Sequence, residues 1–165
     1  MYAKRLKAYK QIGYDICSGL QGEKQTANAI YNCDNYQTVY RQDLLDAAQN
    51  IVISSPVISG KKVREWIDLL QEQQSRGISV TVVTWEPDKY DFGDASYWTQ
   101  LHEEMRQAGF YMKLVDDFCE YFAIIDQEIV WYGSINLLAN SKLDGSLMRI
   151  MSKSIASELM EMTFG

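Results

Sequence analysis

The sequence predicts an α/β fold in which helices lie on both faces of a mixed β-sheet. Short, β-branched apolar runs alternate with segments whose apolar residues recur at helical spacing. Two further apolar runs, 121–126 and 128–132, are separated only by Gln127, which predicts a tight hairpin. Helix–strand alternation followed by two adjacent strands is typical of an α/β sandwich with a mixed sheet.

The first half of this pattern contains two helices and two strands. Residues 36–49 have an apolar face and predict a helix, and residues 50–56 form a β-branched strand that ends at proline. A second helix follows, with Gly77 as its C′ residue, and then a second strand over 78–84. The apolar positions of the two helices are Val39, Leu44, Leu45, Ala47 and Ala48, and then Val63, Trp66, Ile67, Leu69 and Leu70.

The second half begins with a helix that Asp94 can cap and that Gly109 ends. A third strand is predicted over 110–115, and it precedes the two hairpin strands. Ser152 can cap a last helix over 153–162. No segment of the chain repeats at a period of 20–50 residues.

The N-terminal residues differ from the rest of the chain. Residues 1–12 predict a helix that stops at Gly13, and residues 13–29 have few apolar anchors, which predicts a loop or linker. We therefore expect a lead-in over 1–29 and one domain over 30–165. Lys4, Arg5, Lys7 and Lys10 form a basic patch, read first as a solvated helix face.

Composition excludes several classes of function. The net charge is −6 and the sequence pI is about 4.8, whereas a free-standing nucleic-acid binder is usually basic. The three cysteines form no CxxC pair and there is one histidine, so we expect no zinc site and no cofactor. No apolar run reaches the roughly 20 residues that span a bilayer, and no secretory signal is predicted. We expect a cytoplasmic chain with reduced thiols and no membrane partner.

Residues 119–136 carry the most specific pattern in the chain. They include Asp126 and then, seven residues later, Gly133-Ser134-x-Asn136 on a predicted strand–turn–strand. This resembles the phospholipase D superfamily signature H-x-K-x4-D-x6-G-S-x-N. Cys119 and Tyr121 occupy the His and Lys positions, so the signature is degenerate.

The resemblance covers about residues 34–164 and implies one phospholipase D-like repeat. Within the superfamily, the chain is similar to the C-terminal domain of large bacterial helicase-like ATPases. That similarity rests on residues 130–138, 147–149 and 158–164. The chain has no Walker A motif, so the resemblance implies a longer parent protein that carries the ATPase.

In active members of the superfamily, the histidine attacks phosphorus and the lysine neutralises the phosphate oxygens. Two motifs must meet, and a chain with one motif supplies the second by homodimerising. Tyr121 cannot supply a positive charge, and Cys119 has Glu120 beside it rather than a base. The resemblance therefore implies a binding or dimerisation module.

Several residues have two interpretations. Ser134 and Asn136 either bind phosphate or hold a turn, and Asp126 either remains in the site or caps the hairpin. Arg149 either clamps a phosphate or pairs with Asp126, Asp144 or Glu128. Asp116 and Asp117 either bind a metal together with Asp126 or are a solvated strand end.

Other residues have a single expectation. We expect His102 to be an exposed or half-buried helix residue, and Trp131 and Tyr132 to pack. We expect Lys89, Tyr90 and Phe92 to have a structural role rather than to contact a ligand.

Three functions remain open at this stage. The first is a non-catalytic accessory domain of a helicase-like protein, which dimerises or binds nucleic acid or a partner. The second is a nuclease or phosphodiesterase with a rearranged site built on Cys119, His102 or a metal. The third is an oligomerising domain without a ligand.

Overall fold

The computed structural model describes residues 29–90, 93–117, 120–139 and 144–165. Within these residues the chain forms one seven-stranded sheet with the strand order β1-β7-β6-β5-β2-β3-β4. The predicted lead-in over 1–29 lies outside the described residues, except for Ala29, which is the first residue of β1.

Three strands form the parallel half of the sheet. They are β2 (Asn50–Ser54), β3 (Ser79–Trp85) and β4 (Tyr111–Val115), and each pairs in parallel with its neighbour. Residues 51–54 of β2 are buried, and so are Val80 and residues 82–84 of β3, because helices cover both faces of the sheet there.

Four strands form the antiparallel half, namely β1 (Ala29–Asn32), β5 (Phe122–Ile125), β6 (Ile129–Gly133) and β7 (Ser146–Met151). The predicted tight hairpin between β5 and β6 is confirmed, and Asp126 and Gln127 at its turn both have positive φ. The sequence did not predict β1 and β7. Both are short, and β7 places Arg149 at an inward position where an apolar residue is expected.

Four helices are described. These are α1 (Tyr36–Leu45), α2 (Gly60–Ser75), α3 (Ala95–Gln107) and α4 (Lys153–Phe164), and a 3-10 turn covers Pro87–Lys89. The predicted N-caps Asp94 and Ser152 are confirmed, since their side chains accept hydrogen bonds from the backbone N–H of Ser96 and Ile155. None of the helices in the described ranges is long and apolar enough to cross a bilayer.

The helices divide between the two faces of the sheet. α1, α2 and α3 bury the larger core against one face, with Leu44, Leu70 and Leu101 almost inaccessible to solvent. α4 alone buries a second core on the other face through Ala156 and Leu159. The predicted mixed sheet sandwiched by helices is therefore confirmed.

The largest difference in element length concerns the first helix. The sequence predicted it over 36–49, but it ends at Leu45. The backbone N–H groups of Ala48 and Gln49 donate to the Asp126 carboxylate instead of to helical carbonyls. A contact 78 residues away along the chain thus ends the helix.

Candidate functional site

One edge of the sheet holds most of the described residues that match the signature-like pattern of 119–136, and we call it the motif edge. There β2, β3, β4, β6 and β1 end, while β5 and β7 begin. We define the motif edge by the residues at these strand ends, which are Ser54, Trp85, Val115, Tyr121, Gly133 and Ser146. The opposite edge, which holds the β5–β6 turn, is called the turn edge.

Gly133 and Ser134 join the end of β6 to the start of β7. A Cβ at Gly133 would clash with the Ser146 carbonyl oxygen, so no larger residue fits without moving that strand. The Ser134 hydroxyl accepts a hydrogen bond from the Ser146 N–H at 3.1 Å, and the Ser134 N–H donates to the Ser146 carbonyl at 2.9 Å. Both residues therefore maintain the pairing of β6 with β7.

Asn136 connects the signature to the end of β2. Its amide nitrogen donates to the Val57 carbonyl at 2.8 Å, and its carbonyl oxygen accepts from the Ser55 hydroxyl and from the Leu138 N–H. The side chain is only 9% exposed. These partners engage both ends of the amide, which agrees with the interpretation of Asn136 as a residue that holds a turn.

Of the two residues predicted to occupy the His and Lys positions of the signature, Cys119 is outside the described residues, and Tyr121 is half-buried immediately before β5. Between them, Glu120 accepts a hydrogen bond from the Tyr132 hydroxyl at 2.7 Å. That hydrogen bond raises the pKa of Tyr132, and burial adds to the shift. The edge thus carries a carboxylate–phenol pair beside Tyr121.

Further carboxylates surround this pair. Glu86 follows β3 and Asp116 and Asp117 follow β4, at neighbouring ends of the sheet. Asp117 is held near β3 because its carbonyl accepts from the Trp85 indole N–H at 2.9 Å. Glu86, Asp116, Asp117 and Glu120 outnumber the described lysines beside these strand ends, which are Lys89 and, at the start of α2, Lys61 and Lys62, so the motif edge has a small excess of negative charge. Phosphate sites normally have the opposite charge.

Asp126 lies at the turn edge, a strand length of about 15 Å from Tyr121. Its carboxylate accepts hydrogen bonds from the backbone N–H groups of Ala48, Gln49 and Asn50 at 2.7–3.2 Å. Of the two interpretations of Asp116 and Asp117, a metal site shared with Asp126 does not fit the fold, because these residues lie at opposite edges. No cluster of metal-ligating side chains occurs in the described ranges.

The turn edge also contains an open depression of about 530 Å³. The β5–β6 turn and the side of α4 line it, including Asp126, Glu128 and Lys153. It holds none of the other signature residues, and the carboxylate of Asp126 is already bound to the backbone.

Arg149 does not lie at either edge. It sits in the middle of β7, 4% exposed, and donates to both carboxylate oxygens of Asp43 on α1 at 2.7 and 2.9 Å. The Trp131 indole N–H donates to the same carboxylate at 2.8 Å. An ion pair was one of the two interpretations, but its partner is Asp43 rather than Asp126, Asp144 or Glu128. Sequence reasoning missed Asp43, although an acidic residue between Val39 and Leu44 on the apolar face of α1 was a usable signal.

His102 is fully buried, so the prediction of an exposed or half-buried residue is wrong. It lies on the inner face of α3 beside the Tyr90 ring, and neither ring nitrogen has a hydrogen-bond partner among the described residues. Burial lowers its pKa to about 4, and Arg106 adds to the shift. As the only histidine of the chain, it supplies no nucleophile to the motif edge.

The loop after β3 contributes mainly to packing, through the buried side chain of Tyr90. Tyr90 is buried, stacks on Trp98 at 4.3 Å between ring centroids, and shares a hydrogen bond with the Thr84 hydroxyl. Lys89 is exposed, and Phe92 lies outside the described residues. Trp131 is fully buried as expected, whereas Tyr132 is 37% exposed.

Comparison with solved structures shows where this fold occurs. The chain is similar to Nuc from Salmonella typhimurium, a phospholipase D family member, with a TM-score of 0.63 and 15% identity over 84% of this chain and 91% of that chain. It is also similar to NucT from Helicobacter pylori, with a TM-score of 0.58 and 14% identity over 83% and 92%. TrmBL2, an archaeal chromatin protein with a novel mode of DNA binding, has a TM-score of 0.59 and 12% identity over 99% of this chain and 57% of that chain. At these identities, the likeness shows the fold alone.

Sequence comparison gives the family. The chain matches no curated protein sequence. The family model described as "Cardiolipin synthase, PLD-like domain" matches residues 40–163, which is well over half of the chain. This range includes the motif edge, the smaller core and most of the larger core. The chain therefore belongs to the phospholipase D-like domain family.

Proposed function

We propose that this chain is a non-catalytic phospholipase D-like accessory module of a cytoplasmic, helicase-like nucleic-acid-processing protein. The module acts by dimerising or by binding a partner through its motif edge. Any contact with nucleic acid is made chiefly through the parent protein. The helicase context rests on the resemblance of residues 130–138, 147–149 and 158–164.

The proposal rests on the contacts that the residues matching the signature make within the fold. Gly133, Ser134 and Asn136 engage the backbone of neighbouring segments, and Asp126 binds the turn edge. These contacts explain why those residues suit the fold without any phosphate chemistry. The two positions that the chemistry needs carry Cys119 and Tyr121, and neither offers a permanent cation.

Charge also supports a protein partner over a phosphate ligand at this edge. A phosphodiester would approach Glu86, Asp116, Asp117 and Glu120, and like charges repel it. Basic side chains on the surface of a partner protein would instead be attracted to these carboxylates. The half-exposed ring of Tyr132 offers apolar contact area of the kind that is enriched at protein interfaces.

A cleavage assay tests the absence of catalysis. We expect end-labelled single- and double-stranded DNA and RNA to stay intact on incubation with the purified chain, with or without EDTA. Cutting that follows the protein peak and disappears in Cys119→Ala would replace the proposal with a nuclease or phosphodiesterase that uses a rearranged site. In that alternative Cys119 is the remaining candidate, because His102 is fully buried.

Oligomeric state and partner binding test the module itself. We expect light scattering to show a dimer, or pull-down to show binding to the parent ATPase, that weakens in Tyr132→Ala. Tyr111→Ala is the matched control, because Tyr111 is 63% exposed but lies on β4 at the turn edge. Equal effects of the two variants, or a monomer that binds nothing, would argue for a purely structural domain.

A further inference from the structure

β4 is the outer strand of the parallel half of the sheet, and one of its sides pairs with no described strand. It differs from β1, the outer strand at the other end of the strand order, because three of the four β1 residues are buried, whereas no residue of β4 is. An accessible outer strand presents main-chain N–H and C=O groups to which another chain can add as a further strand. The unpaired side of β4 is therefore a candidate surface for strand addition.

The pairing of β4 with β3 identifies the residues on that side. The carbonyl of Val115 accepts from the N–H of Glu86, the residue after β3, at 3.0 Å, so the main chain of Val115 bonds towards β3. Successive residues of a strand direct their main-chain groups to alternate sides. By this alternation Lys113 also bonds to β3, while Met112 and Leu114 direct their N–H and C=O groups away from the sheet. We call Met112, Lys113 and Leu114 together the open side of β4.

Lys113 places a positive charge at the centre of the open side. It lies opposite Val83 of the smaller core, so its side chain is on the face of the sheet that α4 covers. Its ammonium makes no ion pair or hydrogen bond with a described residue. Asp116 lies beyond the end of the strand, roughly 10 Å away, which exceeds the Debye length of about 8 Å at physiological salt. The ammonium is therefore a local positive charge on a chain whose net charge is −6.

Lys113 disfavours pairing of β4 with a second copy of itself. In the antiparallel register that bonds Met112 to Leu114 of the second copy, the two Lys113 residues face each other as a non-hydrogen-bonded pair, whose Cα atoms are about 4.5 Å apart. Like charges directly opposite each other destabilise a strand pair. A carboxylate at the same position of a different strand would instead be attracted to the ammonium.

We propose that the open side of β4 binds an extended segment of a partner protein as an additional antiparallel strand, with an aspartate or glutamate of that segment opposite Lys113. The main-chain groups of Met112 and Leu114 supply hydrogen bonds that any extended sequence can make, and Lys113 supplies the sequence preference. The antiparallel direction is favoured because its pairing is slightly more stable per residue. The open side is separate from the motif edge, so this inference goes beyond the proposed function and does not depend on it.

Selection from a displayed library of random heptapeptides tests the preference for a carboxylate. We expect the full chain to enrich peptides with a central aspartate or glutamate. Lys113→Glu should weaken binding of the most enriched peptide about ten-fold, because an attractive cross-strand pair becomes a repulsive one. Selection on that variant should enrich lysine or arginine instead, and Lys113→Arg should retain binding because it keeps the charge. Lys153→Glu, at the exposed start of α4, is the matched control and should leave binding unchanged.

Hydrogen exchange and N-methylation test the strand pairing itself. The most enriched peptide should slow amide exchange at Met112 and Leu114 by at least about ten-fold, whereas the Lys113 amide is already bonded to β3 and should change little. Methylating a peptide nitrogen that faces Met112 or Leu114 should abolish binding. Methylating the nitrogen of the peptide residue opposite Lys113 is the matched control, because that N–H points away from β4.

Three outcomes would overturn the proposal. Failure to enrich any peptide would show that Lys113 only protects the outer strand from pairing. Equal binding to the parent chain and to Lys113→Glu, or slowed exchange at the motif edge rather than in β4, would place the peptide elsewhere. Slowed exchange at Met112 and Leu114 in the chain alone, increasing with protein concentration, would show that β4 pairs with a second copy. None of these outcomes depends on the cleavage assay, so this inference and the proposed function fail separately.

Discussion

At the scale of single residues, the Asp43–Arg149 ion pair joins α1 to β7 in the interior of the domain. Both side chains are less than 10% exposed, and the guanidinium meets both carboxylate oxygens. Burial of one charge without the other would be costly, so each residue explains the presence of its partner. Trp131 completes the site by donating to the same carboxylate.

Replacing Asp43 with alanine should lower the free energy of unfolding by about 3–5 kcal/mol, because Arg149 would stay buried without its partner. Urea denaturation followed by tryptophan fluorescence measures this loss. Asp46→Ala is the control, since Asp46 is exposed and its carboxylate accepts a hydrogen bond from the exposed Gln42 amide. A loss below about 1 kcal/mol for Asp43→Ala would mean that Arg149 finds water or another acceptor.

His102 should make the free energy of unfolding depend on pH, which is a second effect at the residue scale. Its pKa is about 4 in the folded state against 6.5 in the unfolded chain, so the unfolded chain binds the proton first as pH falls. The contribution of the neutral His102 to the free energy of unfolding is therefore fully present above pH 6.5, and it is lost as pH falls towards 4. The shift corresponds to about 3 kcal/mol.

The measurement compares urea unfolding of the parent chain and of His102→Leu at pH 7 and at pH 4.5. Carboxylates titrate in both proteins, so the difference between them isolates His102. The parent should lose more stability than the variant over this range. Equal losses would show that a proton reaches His102 in the folded state without penalty.

At the scale of elements, the β6–β7 pairing depends on a glycine. Gly133 has no room for a Cβ because the Ser146 carbonyl occupies that position. β7 in turn carries Arg149 and supports the edge strand β1 through antiparallel pairing. The glycine of the signature is thus needed to assemble one side of the sheet.

Gly133→Ala should force β7 away from the end of β6 and increase amide hydrogen exchange in β7 and β1. We expect a loss of about 2–4 kcal/mol in the free energy of unfolding. Ser134→Ala is the matched control, because it removes one exposed hydrogen bond and should cost about 1 kcal/mol. Unchanged exchange in β7 would show that the loop accommodates the added methyl group.

At the scale of the whole molecule, the two cores are joined by the strands that they share. In β2, Ile51 and Ile53 face the larger core, while Val52 faces the smaller one under α4. In β5, Phe122 and Ile124 face α4, whereas Ala123 and Ile125 face the other side. A change in either core therefore alters the same strands.

Leu159→Ala, at a buried position of α4, should destabilise the whole domain by about 2–3 kcal/mol. Because the strands are shared, the fluorescence transition of Trp66 and Trp131 in the other core should shift together with the loss of helical circular dichroism. Met162→Ala is the control, since Met162 is 73% exposed. Loss of helical signal without a shift in fluorescence would show that α4 unfolds independently.

The sequence by itself determined the helices, the central strands and the family. β-branched runs, helical apolar spacing and the caps Asp94 and Ser152 are local features, and local features predict local structure. The pattern that resembles the signature was equally visible, since the spacing of Asp126, Gly133, Ser134 and Asn136 is a property of the chain alone.

Only the tertiary structure decided what the polar residues do. It placed Asp126 and Asn136 at opposite edges of the sheet, assigned Arg149 to Asp43, and buried His102 beside Tyr90. It also ended α1 at Leu45 through a carboxylate far along the chain. The physical reason is that a buried polar group must find a partner or lose its charge, and that partner is set by folding rather than by sequence spacing.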